Sequence, residues 1–87
     1  MALIEFYGKE CSHCLMMAPL VEKLEKELGV KVKKVETWHD EEGEKMREKY
    51  DAEGECGGVP YFVNEETGAK ICGEVSYERL VAWAAGK

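Results

Sequence analysis

Short apolar stretches and regularly spaced apolar residues follow one another along the chain and predict strands and helices in turn. Residues 2–7 are mostly apolar and aromatic and end at Gly8, which predicts a buried strand in which Glu5 is the exception. Residues 11–28 carry apolar side chains every three or four positions, and Gly29 follows where a helix-ending glycine belongs. The chain therefore begins with a strand followed by a long helix.

Further along the chain, strand-like and helix-like patterns continue to follow one another. Three further strands are predicted at residues 30–35, 59–63 and 69–72, and a helix is predicted at residues 40–50. A final helix is predicted after a capping serine at position 76, with residues 77, 80, 81, 83 and 84 on its core side. The glycine-rich residues 54–58 are expected to form a loop, because glycine disfavours regular structure.

The predicted order β-α-β-α-β-β-α belongs to the α/β class. The first βαβ unit should be parallel with a right-handed crossover, and the last two strands should form an antiparallel hairpin. We therefore expect a single domain over residues 1–87, with a mixed four-stranded sheet flanked by three helices.

Composition and charge exclude several classes of function. The content of 45% hydrophobic and 34% charged residues is typical of a soluble globular fold. A net charge of −6 argues against nucleic acid and anionic membranes as partners, because both need a basic face. No apolar run is long enough to span a membrane, and the first residues do not resemble a secretory signal, so we expect a cytoplasmic protein.

Four cysteines in such a protein favour redox or metal chemistry over a structural disulfide framework. Cys11 and Cys14 are separated by two residues at the predicted start of a helix, where backbone N–H groups and the helix dipole stabilise an anion. The thiolate of Cys11 is therefore favoured, and one helical turn brings Cys14 close enough to resolve a mixed disulfide. This placement predicts thiol–disulfide exchange without a bound cofactor.

His13 lies between the two cysteines and should strengthen this effect. A nearby imidazolium favours the thiolate and makes the disulfide more oxidising. The alternative is a zinc or iron–sulfur module, but Cys56 and Cys72 stand far apart and His39 completes no recurrent ligand spacing. We therefore expect no metal site.

Several motifs, taken in order, resemble the thioredoxin superfamily over nearly the whole chain. They are the strand at residues 4–7, the pair Cys11/Cys14, a helix-kinking Pro19, the step Gly58-Val59-Pro60, and Gly73 before the last helix. The chain is similar to the short, glutaredoxin-sized form of that fold. It departs from the pattern at Glu10, where a tryptophan is usual, and this places an acidic group near the thiol.

The resemblance implies a role for each matching residue. Cys11 would be the attacking, partly exposed thiol, and Cys14 the more buried resolving thiol. Pro60 would follow a cis peptide bond beside the cysteines, and Val59 would offer backbone hydrogen bonds to an extended substrate. Without the resemblance, Pro60 would be interpreted as an ordinary trans proline at a strand edge.

The resemblance also implies a role for Glu5, at the position of a buried carboxylate beneath the disulfide. A carboxylate in a low dielectric has a raised pKa and can exchange a proton with the resolving thiol. The competing interpretation is that Glu5 points to water from a strand end.

Three more side chains are candidates for accessory roles. Leu15 is assigned to an apolar docking rim around Cys11, whereas Met17 is assigned to the core. Cys56 and Cys72 are candidate accessory thiols, resolving or regulatory, but they could instead pair with each other or be buried as small apolar residues. We favour a mutual pair or burial.

These observations predict a monomeric protein-disulfide oxidoreductase that is recharged by a thioredoxin-reductase-type electron donor. Glutathione-dependent, glutaredoxin-like activity ranks second, because no basic cluster beyond Lys9 suits the carboxylates of glutathione.

Overall fold

The computed structural model describes residues 3–86 and contains a sheet of four strands with three helices. The elements are β1 (Leu3–Tyr7), α1 (Ser12–Leu28), β2 (Val32–Glu36), α2 (Glu41–Tyr50), β3 (Tyr61–Asn64), β4 (Lys70–Cys72) and α3 (Tyr77–Ala84). Their order is the predicted one, which confirms the fold class.

The sheet is mixed, with strand order β2-β1-β3-β4. The central strand β1 runs parallel to β2 and antiparallel to β3, and β3 and β4 form the antiparallel hairpin. The first βαβ unit is therefore parallel, as predicted. Its crossover helix α1 follows the central strand β1 after the short turn at residues 8–11, and this turn places the start of the helix at the end of β1.

The two faces of the sheet carry separate cores, because successive side chains of a strand point to opposite faces. On one face, α1 and α3 pack on the sheet, and the buried side chains are Met17, Val21, Leu24, Val32, Phe62, Ile71, Leu80 and Trp83. On the other face, Ile4, Phe6, Tyr61 and Val63 are buried with Met46 and Tyr50 of α2 packed against them. Met17 thus lies in the core, as expected.

The boundaries of several helices and strands differ from the predicted ones. Cys11 and Asp40 are the N-caps of α1 and α2 rather than their first residues, and each has extended backbone angles. The third strand begins at Tyr61, two residues later than predicted, because Val59 and Pro60 precede the ladder.

None of the helices between residues 3 and 86 has the length and apolar character of a bilayer-spanning helix.

Candidate active site

The two cysteines of the predicted pair lie at the N-terminus of α1. Cys11 is the N-cap, and its Sγ accepts a hydrogen bond from the backbone N–H of Cys14 at 3.3 Å. The backbone N–H of Cys11 donates to the carbonyl of Gly8 at 3.0 Å, which closes the turn between β1 and the helix. No acidic residue occupies the first turn of α1 to oppose an anion there. The sulfur of Cys11 therefore stands at the positive end of the helix.

Cys11 is more buried than the resemblance implies. It is 6% exposed, close to the 4% of Cys14, so the expectation of a partly exposed attacking thiol is not met in this conformation. The Sγ atom folds back over the helix terminus and lies 3.9 Å from the carbonyl oxygen of Val59. The segment before β3 therefore lies against the sulfur.

Pro60 follows a cis peptide bond to Val59. Pro60 is buried and accepts a backbone hydrogen bond from Gly73 at 2.8 Å, so it is tied to the end of β4. This arrangement brings the Val59–Pro60 step and Cys11 together across 48 residues of sequence.

The pKa of Cys14 is raised from its ordinary value of 9.0 to about 12. Burial is the largest cause, followed by the side-chain hydrogen bond with Cys11, while a backbone hydrogen bond involving Gly8 acts in the opposite direction. The charge of Glu5 contributes a further, smaller increase. At neutral pH Cys14 is therefore a thiol, and it needs a proton acceptor before it can attack a disulfide.

Glu5 is buried on the α1 face of the central strand, at 4% exposure, and does not point to water. Burial raises its pKa from 4.5 to about 7, although the charge of Lys34 lowers it. Glu5 and Cys14 line the same cavity of about 310 Å³, together with Lys34, Leu15 and backbone at Gly8. The lining is largely apolar, and the carboxyl group of Glu5 and the thiol of Cys14 are polar groups that face this same space.

The side chains of His13 and Glu10 each pair with a residue outside the cysteine pair. The ring of His13 is exposed and its Nδ1 lies 3.0 Å from Oε1 of Glu74. Oε1 of Glu10 lies 2.6 Å from Nε2 of His39, and this hydrogen bond is the main cause that raises the pKa of His39. The carboxylate of Glu10 is thus paired with an imidazole.

Leu15 and the adjacent Met16 are exposed, at 62% and 61%. Leu15 also lines the cavity beside Cys14, and its part in a docking rim around Cys11 stays a prediction. An exposed apolar rim beside a reactive sulfur suits contact with a protein substrate.

Cys56 and Cys72 are joined in a disulfide, so neither is a free thiol in this state. Mutual pairing was one of the fates expected from the sequence. Among the residues from 3 to 86, no group of three or more His, Cys, Asp and Glu side chains is arranged to hold a metal ion.

One part of the site was not anticipated from the sequence. Asp51, just after α2, accepts hydrogen bonds from the backbone N–H groups of Cys56 and Gly57, and Arg47 pairs with the same carboxylate at 3.2 Å. The i,i+4 spacing of Arg47 and Asp51 on a predicted helix, followed by a glycine-rich loop, was the available signal.

Comparisons with known proteins agree with this geometry. The thioredoxin family model matches residues 1–85. Among solved structures, thioredoxin 1 from the thermophilic eubacterium Thermosipho africanus is similar, with a TM-score of 0.66 and 15% identity over 98% of this chain and 91% of its own. Thioredoxin-2 of the malaria parasite, described as a component of its protein secretion machinery, has a TM-score of 0.68 and 19% identity over 99% and 82%. No curated protein matches this chain in sequence.

Proposed function

Because this chain belongs to the thioredoxin family, we propose that it is a thiol–disulfide oxidoreductase that reduces or exchanges disulfides of protein substrates through Cys11 and Cys14. The observation that carries the proposal is the sulfur of Cys11 at the N-terminus of α1, where it accepts the backbone N–H of Cys14. A hydrogen-bond donor and a helix dipole directed at one sulfur stabilise its thiolate.

The reaction runs in two displacement steps. The thiolate of Cys11 attacks one sulfur of a substrate disulfide, the substrate S–S bond breaks, and the departing sulfur leaves as a thiolate that takes a proton. Cys14 then loses its proton and attacks Cys11 in the mixed disulfide, which releases the second substrate sulfur as a thiol. The substrate gains two electrons and two protons, and the pair ends as the Cys11–Cys14 disulfide.

Glu5 supplies the proton acceptor that the second step requires. With a pKa raised to about 7, it is partly ionised at neutral pH, and it faces the same cavity as Cys14. A base works best when its pKa lies near the working pH. In the reverse direction the protonated Glu5 returns the proton to Cys14.

Val59 provides the binding edge for the substrate. Its carbonyl lies 3.9 Å from Cys11, and the residue precedes β3 without joining the sheet ladder on either side. An extended substrate segment that adds backbone hydrogen bonds here would carry its disulfide to Cys11. The exposed Leu15, beside the cavity that Cys14 lines, adds apolar contact.

A thioredoxin-reductase-type donor would recharge the pair, and on the sequence grounds given above the protein would act as a cytoplasmic monomer. Insulin reduction, followed by the precipitation of its free B chain, tests the activity with such a reductase or with glutathione as the donor. We expect turnover with the reductase and loss of turnover in Cys11→Ser. An equal rate in Cys11→Ser would refute the proposal, and faster turnover with glutathione would reassign the donor.

A further inference from the structure

The Cys56–Cys72 disulfide lies at the end of the segment that covers Cys11. Cys72 is the last residue of β4 and pairs in register with Tyr61, and the N–H of the next residue, Gly73, donates to the carbonyl of Pro60. Cys56 lies in the loop that leads to Val59. The disulfide therefore ties this loop to the edge strand of the sheet at the level of the cis proline.

A second attachment holds the same loop from its other side. The carboxylate of Asp51 accepts the N–H groups of Cys56 and Gly57 at 3.1 and 2.8 Å, and its side chain is 3% exposed. These backbone hydrogen bonds are the first causes that lower the pKa of Asp51, so the carboxylate stays charged near neutral pH. Cys56 is thus the residue where both attachments meet.

Cys56 and Val59 pack against the core on the α2 face, but the two glycines between them have open space beside them. A side chain built at Gly57 or Gly58 would meet no atom within 4 Å. An open groove of about 310 Å³ runs beside these glycines and Val59, toward Trp38 and Arg47. The segment that covers Cys11 therefore has room to move once an attachment is lost.

The disulfide can be reached from solvent. Cys72 is exposed and Cys56 is partly buried, and both line a shallow crevice of about 190 Å³ with Glu55, Tyr61 and Lys70. A small thiol can approach the sulfur of Cys72 through this crevice.

We propose that the Cys56–Cys72 disulfide is a second redox site, whose oxidised form holds Val59 over Cys11 and whose reduction releases that segment. The inference rests on the proposed function, since it makes the second pair control substrate binding at the first. In the oxidised form Val59 is fixed as a binding edge and Cys11 is covered. In the reduced form Cys11 is more accessible, but the binding edge is less ordered.

The reduction balances with an external dithiol as the reductant. One of its thiolates attacks the sulfur of Cys72, the S–S bond breaks, and Cys56 leaves as a thiolate that takes a proton. The second thiolate of the reductant then attacks the mixed disulfide and releases Cys72 as a thiol. Two electrons and two protons pass to the protein, and the dithiol becomes a disulfide.

Alkylation of Cys11 by iodoacetamide tests the release without any need for catalytic activity. In a Cys14→Ser background, Cys11 is the one free thiol among the four cysteines while Cys56–Cys72 is intact. Changing Cys56 and Cys72 to serine in that background also leaves Cys11 alone. We expect alkylation several-fold faster without the disulfide, at every pH used, because the cover of Val59 is loosened.

Two comparisons separate this effect from a general loss of stability. Val32→Ala in the same background weakens the core on the other face of the sheet, on the edge strand farthest from β4, and its alkylation rate should stay at the reference value. Cleavage of Cys56–Cys72 by dithiothreitol in the Cys14→Ser protein, with the reagent then removed and the label on the Cys11 peptide measured by mass spectrometry, should reproduce the faster rate without a substitution at residues 56 and 72. This second comparison also serves if the serine variant does not fold. Equal rates with and without the disulfide would overturn the inference.

Turnover supplies the second readout. In the chain with Cys14 intact, Cys56→Ser with Cys72→Ser should raise KM for a disulfide-containing peptide several-fold and leave kcat unchanged. An unchanged KM, or a parallel fall of kcat that Val32→Ala reproduces, would contradict control of binding by this pair. If Cys11→Ser keeps full turnover, the proposed function fails, while the alkylation result still reports on the loop.

Discussion

Replacement of Glu5 by glutamine tests whether the burial of this carboxylate near Cys14 lowers the free energy of unfolding. Glu5 is 4% exposed, and burial raises its pKa from 4.5 to about 7. The difference between these two values, at about 1.36 kcal/mol for each pH unit, corresponds to about 3 kcal/mol. Glutamine has nearly the same shape and no charge, so Glu5→Gln removes this penalty without opening a cavity.

The pH dependence of stability follows from which state, folded or unfolded, holds the proton of Glu5. Between pH 4.5 and about 7 the unfolded chain has lost the proton of Glu5, whereas the folded chain still holds it. Since the unfolded state binds fewer protons in this range, the free energy of unfolding falls as the pH rises. The penalty is absent below the unfolded pKa and complete above the folded one.

Urea denaturation across a pH series measures this difference directly. We expect Glu5→Gln and its parent to have similar stability at about pH 4, and the variant to be more stable by up to about 3 kcal/mol at about pH 8. Glu48→Gln, which removes an exposed carboxylate from α2, is the matched control and should change stability by less than about 0.5 kcal/mol at any pH.

The same variant should be slower in the resolving step, which a rapid-mixing experiment on the mixed disulfide reports. A constant stability difference between parent and Glu5→Gln from acid to alkaline pH would refute the reasoning, because it would mean that Glu5 ionises in the folded protein as it does in the unfolded chain. A variant that is more stable but equally fast would show that Glu5 is buried without a role in proton transfer.

Three further variants probe other parts of the structure. Cys14→Ser should accumulate a mixed disulfide between Cys11 and substrate, visible by mass spectrometry, because no resolving thiol remains; rapid release of the substrate would contradict the assigned order of attack. Asn64→Ala should lower the free energy of unfolding by about 2 kcal/mol in urea, since the buried Asn64 amide donates to a carbonyl of α3 at 3.0 Å; an unchanged midpoint would contradict this. Gly43→Ala should destabilise the fold by about 1–3 kcal/mol, because its Cβ would stand 1.9 Å from the carbonyl oxygen of Glu36; an alanine variant as stable as the parent would show that α2 shifts freely.

The order of the elements, the parallel first βαβ unit and the final hairpin could be predicted from the sequence because they follow from local patterns, whereas the pairing of β1 with β3 was not predicted. The three- and four-residue spacing of apolar side chains defines α1, and the alternation of short apolar runs with turns defines the strands. The start of β3 could not be located in this way. Val59 and Pro60 continue the apolar run, but their backbone precedes the ladder, and only the tertiary fold decides which residues join a sheet.

The candidate site could be predicted in part, for a similar physical reason. The helix-start placement of Cys11 depends on neighbours in sequence, so the motif was sufficient to predict it. The near-complete burial of Cys11 depends on Val59, which is 48 residues away. Asp51 holds the loop through the backbone N–H groups of Cys56 and Gly57. Because almost every residue has such a group, the pattern of side chains does not indicate which ones bind a carboxylate.

The position of Glu5 connects the strand pattern to the chemistry of the site. On β1, Ile4 and Phe6 point to the α2 face, so the intervening Glu5 must point to the α1 face, where Cys14 lies in the first turn of the helix. A shift of one residue in the register of β1 would place Glu5 in the apolar core on the α2 face and would move Ile4 and Phe6 out of that core, which is unfavourable. The apolar side chains on either side therefore determine where the carboxylate is held, and the fold offsets the penalty of its burial. The carboxylate that we propose as proton acceptor is thus placed by the packing of its neighbours along β1.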